Sequence, residues 1–388
     1  MSNEVSLFPE LTTAKQLAHT TGTLPSQTIQ ELIRIGRISA RSEIAEDQIQ
    51  PASIDLRLGP VAYRVRASFL PGQHSTVEKK IAELQIEKLD LTKPTVFDKG
   101  SVFIVPLLEE VSLPADILAK ANPKSTTGRL DIFTRLISDY GAEFDWVRKG
   151  YTGKLYAEVV SRTFTVTVGV GTKLNQLRFI RGNPPYTDNM LMELDEKETL
   201  VFEDEDNPVQ ANIDRGLRIS VDLRGNGDTE IVAHKAKKHA PAIDLSKKSF
   251  YEESEFWEPI HAPAAGGIVL DPGDFYLLAS REKVRVPPTL AAELVPYDPS
   301  IGELRVHYAG FFDPGFGYGL SDIPGTKAVL EVRAHEVPVL IEDRQIIGRL
   351  LYSRMMGRPE KVYGISIGSS YQKQGAMLSK QFKRPSLG

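Results

Sequence analysis

The chain has 388 residues, with 47 Lys and Arg against 51 Asp and Glu and no cysteine. The formal net charge of −4 lacks the basic excess of a general nucleic-acid binder. The absence of cysteine excludes disulfides, thiolate metal sites and a cysteine nucleophile. No apolar run approaches the ~18 residues of a membrane helix, and the first residues lack a signal-peptide pattern. We therefore expect a cytoplasmic globular protein with neither a membrane nor a nucleic-acid partner.

The helical signals lie in the first 48 residues. Ser26 is a candidate N-cap, an apolar stripe follows it, and Gly36 ends the pattern, which predicts a helix over 26–36. A weaker helix is predicted over 12–18. We assign residues 1–39 to a short helical N-terminal segment.

Beyond residue 48 the pattern changes to short alternating runs broken by glycine and proline, which is typical of an all-β chain. Ile54, Leu56 and Leu58 share one face of a predicted strand. Residues 163–170 alternate in the same way.

A repeat with constant spacing organises this β region. The run Phe-Asp-Lys-Gly-Ser-Val-Phe-Ile from Phe97 corresponds to Leu-Asp-Pro-Gly-Asp-Phe-Tyr-Leu from Leu270, an offset of 173 residues. The same offset pairs Glu109 with Glu282, Val111 with Val284, Pro114 with Pro287, Pro123 with Pro296, Glu158 with Glu331 and Leu177 with Leu350. We predict two copies of one β domain.

We place the first copy at 40–182 and the second at 216–355. Between them, 183–215 is predicted to be an acidic linker or a solvated strand edge rather than a metal site, because successive side chains of a strand point to opposite faces. Residues 356–388 form a basic C-terminal segment.

Four segments resemble those of the dCTP deaminases, a family with the trimeric dUTPase-like β fold. Residues 49–59 resemble the amino-terminal signature of the family, and Lys-Ser-Thr-Thr-Gly-Arg at 124–129 resembles its Arg-Ser-Ser-Leu-Ala-Arg segment. Residues 150–158 resemble its Gly-Trp-Ser-Gly…Leu-Glu strand, and 371–379 resemble its closing segment. The resemblance implies a fold of two tandem distorted, jelly-roll-like β-barrels. It also implies that the protein converts dCTP to dUTP and ammonia, and that this reaction has a role in supplying dUTP and dTTP precursors.

The resemblance also implies catalysis without zinc. Zinc-dependent deaminases carry an H-x-E signature, and none of the seven histidines lies in one. Glu158 matches the general base of the family, which activates water. Ser125 and Arg129 match the Ser and Arg contributed by a neighbouring subunit, with Arg129 orienting Glu158 and the water. The alternative for Glu158 is an exposed strand residue.

Substrate binding is assigned on the same resemblance. Lys124 and Thr126 would bind the triphosphate together with Ser125, and Lys373 and Gln374 would close over it as a lid. Mg²⁺ is expected on the substrate phosphates, because it keeps its waters and takes few protein ligands. The alternative for Lys124, Ser125 and Thr126 is a polar turn after a strand, and the alternative for Lys373 and Gln374 is a basic terminus without a binding role.

The base-reading hairpin of the family is divided between the copies. Gly141 and Asp145 bound the corresponding segment of the first copy, which departs from the Ala-x-x-Ile-Asp-Pro-Gly pattern, whereas 309–316 of the second copy match it. The second copy has Asp298 and Gly302 in place of the serine and arginine.

Two interpretations of this division stay open. The second copy is a structural partner, or Asp313 or Glu331 completes a site that Ser125 and Arg129 begin.

Three functions are compatible with the sequence. The first is dCTP deaminase. The second is a dUTP diphosphatase or a bifunctional enzyme, since residues 309–313 resemble the water-activating Ala-Gly-x-x-Asp turn. The third is a non-catalytic regulator that binds dCTP, dUTP or dTTP. The two domain copies of one chain cannot close a threefold ring, whereas the six copies of three chains can, so a homotrimer is predicted.

Overall fold

The computed structural model describes residues 19–182, 186–203, 206–225, 230–263, 266–296, 304–306, 310–319, 321–334, 336–364 and 378–383. The predicted helix over 12–18 lies outside these residues.

Two series of strands form the protein, as the all-β prediction requires. The first half contains β1 (Gly22–Thr23), β2 (Ile38–Ala40), β3 (Ile54–Arg57), β4 (Val61–Val65), β5 (Gln85–Asp90), β6 (Thr95–Phe97), β7 (Val102–Ser112), β8 (Ile117–Pro123), β9 (Ile132–Ser138), β10 (Trp146–Val147), β11 (Thr152–Ser161), β12 (Val166–Val168) and β13 (Lys173–Arg181). The second half contains β14 (Val201–Phe202), β15 (Leu217–Ser220), β16 (Ile231–Ala236), β17 (Ile243–Asp244), β18 (Trp257–His261), β19 (Gly267–Leu270), β20 (Phe275–Val284), β21 (Leu290–Pro296), β22 (Leu304–Val306), β23 (Phe311–Phe312), β24 (Thr326–Ala334), β25 (Val339–Glu342) and β26 (Ile346–Arg354).

The described helices are short. They are α1 (Ser26–Arg34), α2 (Val77–Leu84), α3 (Ser125–Gly128), α4 (Asp188–Glu198) and α5 (Glu253–Phe256). The predicted first helix is confirmed, although its N-cap is Pro25 rather than Ser26. Gly36 follows it with a φ of 75°, a left-handed conformation that glycine adopts readily. None of these helices has the length and apolarity that crossing a membrane would require.

Strand pairing repeats with the offset found in the sequence. In the first half Glu158 of β11 lies opposite Ile104 of β7, and in the second Glu331 of β24 lies opposite Leu277 of β20. The pair Leu177–Ala121 of the first half recurs as Leu350–Leu294 in the second. Likewise, the pair Val166–Phe97 recurs as Val339–Leu270. Each member of a pair is displaced by 173 residues, so the two halves share one topology.

The acidic stretch between the copies is a helix and not the linker or strand edge predicted from its composition. α4 begins after Thr187, whose hydroxyl accepts a hydrogen bond from the Met190 amide. Leu191 is the buried residue of this helix, and the Asp195 carboxylate accepts a hydrogen bond from the Leu200 amide at 2.7 Å. Capping and one apolar anchor therefore outweigh the helix's low apolar content.

This helix corresponds to the start of the first half. β14 follows α4 and pairs with β20, just as β2 follows α1 and pairs with β7. Val201 lies opposite Val284, and Ile38 lies opposite Val111, the repeat equivalent of Val284. Each half thus opens with the same helix–strand unit.

The two halves are packed against each other through a shared core. The main apolar cluster of the first half includes Phe275 and Leu277, which belong to β20 of the second half. Val329 of β24 also packs against this cluster. The face of β24 that carries Val329, Glu331 and Arg333 is therefore directed at the first half.

An aromatic cluster fixes the C-terminal segment 378–383. Phe382 lies 5.3 Å from Phe256, 6.1 Å from Trp257 and 6.4 Å from Tyr251, measured between ring centroids. The amides of Phe250 and Tyr251 also donate to the Gln381 carbonyl. The segment is anchored by apolar burial and backbone hydrogen bonds together.

Removing the central ring of this anchor tests its contribution. Phe382→Ala should lower the free energy of unfolding by about 3–5 kcal/mol, because a buried phenylalanine leaves a cavity when truncated. Phe250→Ala is the matched control, since that ring is half exposed, and it should change stability by less than about 1 kcal/mol. Denaturant unfolding of the two variants measures both values, and equal losses would contradict the assignment.

Candidate functional site

A short turn at the end of β8 carries the predicted substrate-binding residues. Lys124 is the N-cap of α3, and Ser125 and Thr126 begin it. The Thr127 hydroxyl donates to the Leu174 carbonyl at 2.9 Å, which fixes the turn on β13. The C-terminal segment closes against the turn, because the Ser379 hydroxyl donates to the Thr126 carbonyl at 2.9 Å.

Lysine side chains surround this turn. Lys124 forms an ion pair with Asp55. Burial lowers the pKa of Lys380, and the positive charges of Lys124 and Lys248 lower it further. With Lys173, four ammonium groups lie near two carboxylates, those of Asp55 and Asp47, which leaves an excess of positive charge beside Ser125. Such a surface attracts polyanions.

Arg129 follows the turn and is directed towards the second half of the chain. Its residue exposure is 6%, and that of Glu331 on β24 is 5%. Burial raises the pKa of Glu331 to about 8, and the positive charge of Arg129 opposes part of that rise. A carboxyl group that titrates near neutral pH therefore lies within electrostatic reach of a buried guanidinium.

A second pair of opposite charges lies beside the first. Arg333 of β24 forms an ion pair with Asp131 of the first half. The Thr163 hydroxyl donates to the same carboxylate at 2.6 Å, and Arg333 donates to Thr163 at 2.9 Å. The spacing of two residues between Arg129 and Asp131 thus matches that between Glu331 and Arg333.

Asp313 reaches the same region from the turn after β23. It forms an ion pair with Arg178 of β13, with 3.3 Å between Nη2 and Oδ1. Burial raises the pKa of Asp313, while Arg178 lowers it. Asp55 raises that pKa and Lys124 lowers it, so Asp313 is near the lysine-rich turn.

Glu158 lies in a different niche, within the first half. It is fully buried, and Arg135 donates two hydrogen bonds to its Oε1, from Nε at 3.1 Å and from Nη2 at 2.6 Å. The Arg135 guanidinium lies 3.4 Å from the Phe144 ring centroid. Tyr156 shares the face of Glu158 and packs in a small cluster with Val77 and Ile81 of α2. The side chain is thus enclosed by the protein's own residues.

The predicted hairpin residues of the first copy border this niche. The Leu136 amide donates to Asp145 Oδ1 at 2.7 Å, and burial raises the pKa of Asp145 to about 7. The charge of Arg135 opposes this rise and that of Glu158 adds to it. Gly141 has no room for a side chain, because a Cβ would lie 2.9 Å from the Ser138 carbonyl oxygen.

The predicted residues therefore fall into two groups. One group joins the halves and consists of Lys124, Ser125, Thr126, Arg129, Asp313 and Glu331. The other belongs to the first half and consists of Gly141, Asp145 and Glu158. Lys373, Gln374, Asp298 and Gly302 lie outside the described residues.

Four residues of these contacts were not predicted from the sequence: Asp131, Arg135, Arg178 and Arg333. Arg178 has a signal in the repeat, because its equivalent at the same offset is Leu351. At this position the first copy has a cation and the second has an apolar residue. The partners of Asp131, Arg135 and Arg333 depend on strand pairing and on contact between the halves, which no local pattern shows.

In the described parts of the chain, no group of three or more His, Asp or Glu side chains is arranged to hold a metal ion.

Comparisons with known proteins agree with this division into halves. The family model described as "2'-deoxycytidine 5'-triphosphate deaminase (DCD) N-terminal domain" matches residues 20–183. The corresponding C-terminal domain matches residues 187–382. A crystal structure of 2'-deoxycytidine 5'-triphosphate deaminase from Agrobacterium tumefaciens is 46% identical, with a TM-score of 0.83, and the match covers 87% of this chain and 100% of that one.

Curated relatives are shorter matches. The "dCTP deaminase, dUMP-forming" of Methanosphaera stadtmanae is 27% identical over 140 residues, which cover 35% of this chain and 66% of that protein. The protein of the same name from Dictyoglomus thermophilum is 29% identical over 145 residues, covering 36% of this chain and 70% of that protein. The matches to these two span about two thirds of each relative.

The raised pKa of Glu331 predicts a pH-dependent stability. The folded protein holds a proton on Glu331 between the ordinary pKa of 4.5 and about 8, where the unfolded chain has lost it, so stability contributed by this group falls as pH rises. Glu331→Gln removes this effect. The unfolding free energy of the variant minus that of wild type should therefore increase from about pH 5 to pH 8, by at most about 1.4 kcal/mol per pH unit, and then level off.

Denaturant unfolding at several pH values measures this difference. Glu342→Gln is the control, because its side chain is exposed on the same half. A difference for Glu331→Gln that stays constant over the whole pH range would contradict the raised pKa.

Proposed function

Because the chain belongs to the 2'-deoxycytidine 5'-triphosphate deaminase family, we propose that it hydrolyses dCTP to dUTP and ammonia at the site between its two halves. The observation that carries the location is the buried Glu331 carboxyl of the second half within electrostatic reach of Arg129 of the first. The lysine-rich turn of Lys124 adjoins Arg129 in sequence, and Asp313 lies within electrostatic reach of Lys124.

Glu331 is the proposed general base. Its ionised form takes a proton from water as the oxygen attacks C4 of the cytosine, and the proton passes to N3. A second proton then moves from the new hydroxyl to the amine, which leaves as ammonia while the carbonyl forms. A base whose pKa lies near the working pH is suited to both transfers.

Arg129 and Ser125 support this step from the first half. The guanidinium of Arg129 favours the ionised form of Glu331, and we assign to it the orientation of the attacking water. The Ser125 hydroxyl is available to hydrogen-bond the tetrahedral centre. Such fixed donors stabilise charge where it develops.

We assign binding of the substrate phosphates to the lysine-rich turn. Lys124, Thr126 and the nearby Lys380 supply positive charge and a hydroxyl to the triphosphate. Lys124 is paired with Asp55, which positions its ammonium group. Mg²⁺ is treated as part of the substrate, held by the phosphate oxygens. The lid residues Lys373 and Gln374 and the homotrimer stay predictions.

The sequence favours Glu158 as the base, and the geometry favours its repeat equivalent. Glu158 accepts two hydrogen bonds from Arg135 at Oε1, whereas burial raises the pKa of the Glu331 carboxyl to about 8. Charge-assisted hydrogen bonds of this kind fix a carboxylate in place, and Oε2 of Glu158 has no hydrogen-bond partner among the described residues. The proposal therefore assigns Glu158 to stability and Glu331 to chemistry.

Matched substitutions at the two equivalent positions test this assignment. Glu331→Gln should lower kcat by about 10²–10⁴-fold, the usual contribution of a positioned base. Glu158→Gln should keep kcat within about tenfold of wild type. It should also lower the free energy of unfolding by about 1–3 kcal/mol, because the charge of Arg135 loses its buried counter-charge.

Ammonia release from dCTP measures the first effect and denaturant unfolding the second. The reverse pattern, with Glu158→Gln inactive and Glu331→Gln active, would return the base to Glu158.

A second candidate function follows from the names of the relatives. Several are called dUMP-forming, and Asp313 lies in a Gly-Phe-Phe-Asp turn. A bifunctional enzyme would release pyrophosphate as well as ammonia. Under the leading proposal, dCTP gives ammonia and dUTP in equal amounts and no pyrophosphate. Pyrophosphate in step with ammonia would favour the bifunctional enzyme, and dCTP binding without either product would favour a regulator.

A further inference from the structure

We propose that Arg178 is a positioning residue, which holds the turn 311–315 of the second half in the conformation that receives the pyrimidine ring. This inference rests on the proposed function, because the turn acquires its role from the deaminase site. Arg178 itself touches no substrate in this scheme.

The contacts of Arg178 cross from one half to the other. Its Nη1 donates to the Ala292 carbonyl at 3.1 Å, and its Nη2 donates to the Phe312 carbonyl at 3.4 Å. Nη2 also lies 3.3 Å from Asp313 Oδ1. Since Ala292 and Phe312 lie opposite each other in β21 and β23, one guanidinium binds both strands that support the turn.

The side chain is also packed against an aromatic ring. The guanidinium carbon of Arg178 lies 3.9 Å from the centroid of Phe311, and the residue is only 3% exposed. A planar group with several donors in fixed directions can meet these demands together, whereas an ammonium group cannot. The geometry therefore restrains the turn in position and in orientation.

Charge makes the restraint specific to this turn. Asp313 is 8% exposed, and burial raises its pKa while Arg178 opposes the rise. Without Arg178, the carboxyl would be buried with its main counter-charge removed. A buried charge that loses its partner is strongly unfavourable, so the turn would move or Asp313 would take up a proton.

The repeat shows that the arrangement belongs to one half only. The position equivalent to Arg178 in the second half is Leu351, whose side chain is 42% exposed. In the first half, Val147 lies opposite Ala119 just as Phe312 lies opposite Ala292, so the residue in the place of Asp313 is Arg148. The arginine is thus present only where the turn faces the site between the halves.

Substrate selectivity provides a test that does not depend on how much enzyme is active. We compare kcat/KM for dCTP and 5-methyl-dCTP, because both values fall equally when part of a preparation is unfolded. A single methyl group in a fitted pocket is worth about 10–200-fold. Arg178→Leu, which introduces the residue of the equivalent position, should change the ratio by at least about fivefold and lower kcat for dCTP by about 10²-fold.

Arg181→Leu is the matched control. Arg181 lies on the same strand as Arg178 and also forms an ion pair, with Asp116 at 2.6 Å, but this partner belongs to the first half. This variant should keep the wild-type ratio. Arg178→Lys retains the charge without the fork of donors, and its ratio should lie between those of wild type and Arg178→Leu.

Each outcome decides the inference. A wild-type ratio in Arg178→Leu overturns it, whatever the activity lost. If Arg178→Leu does not fold, Arg178→Lys decides, and an unchanged ratio in that variant overturns the inference too. A wild-type enzyme that releases no ammonia from dCTP instead contradicts the proposed function, and is recognised before any variant is made.

Discussion

Opposite charges buried between the two halves of the chain set the geometry on which the site depends. Asp131 pairs with Arg333, and Arg129 lies within electrostatic reach of Glu331. Because a buried charge tolerates little displacement from its counter-charge, these contacts allow one alignment of β24 against the turn after α3. The carboxyl group, the guanidinium and the lysine-rich turn are brought together by that alignment.

Glu158 and Glu331 occupy the same position of the repeat in different surroundings. Both lie at the centre of equivalent strands and both are buried. Glu158 accepts two hydrogen bonds at Oε1 from Arg135 on the adjacent strand of its own half. Burial raises the pKa of Glu331, and the positive charge of Arg129 from the other half opposes that rise. The environment, and not the residue type, sets the pKa of a buried carboxyl group.

The sequence predicted the duplication well, because strand pairing must repeat wherever a spacing repeats. It also identified Ser125, Arg129 and Glu331 as candidates, since each lies in a recognisable segment. The family resemblance favoured Glu158 as the base, and alternation could not test that choice, because it shows which face a side chain occupies but not what lies opposite. The acidic composition of 193–206 likewise concealed α4, whose stability comes from its cap and from Leu191.

Two halves on one polypeptide have a further consequence for the site they share. A site assembled from separate chains is lost on dilution, whereas here each half meets the other at an effective concentration fixed by the chain itself. The ratio of the two halves is also fixed at one to one. Each half can then change at positions whose role the other half supplies. The first half carries the serine–arginine turn, and the second carries the Asp-Pro-Gly turn.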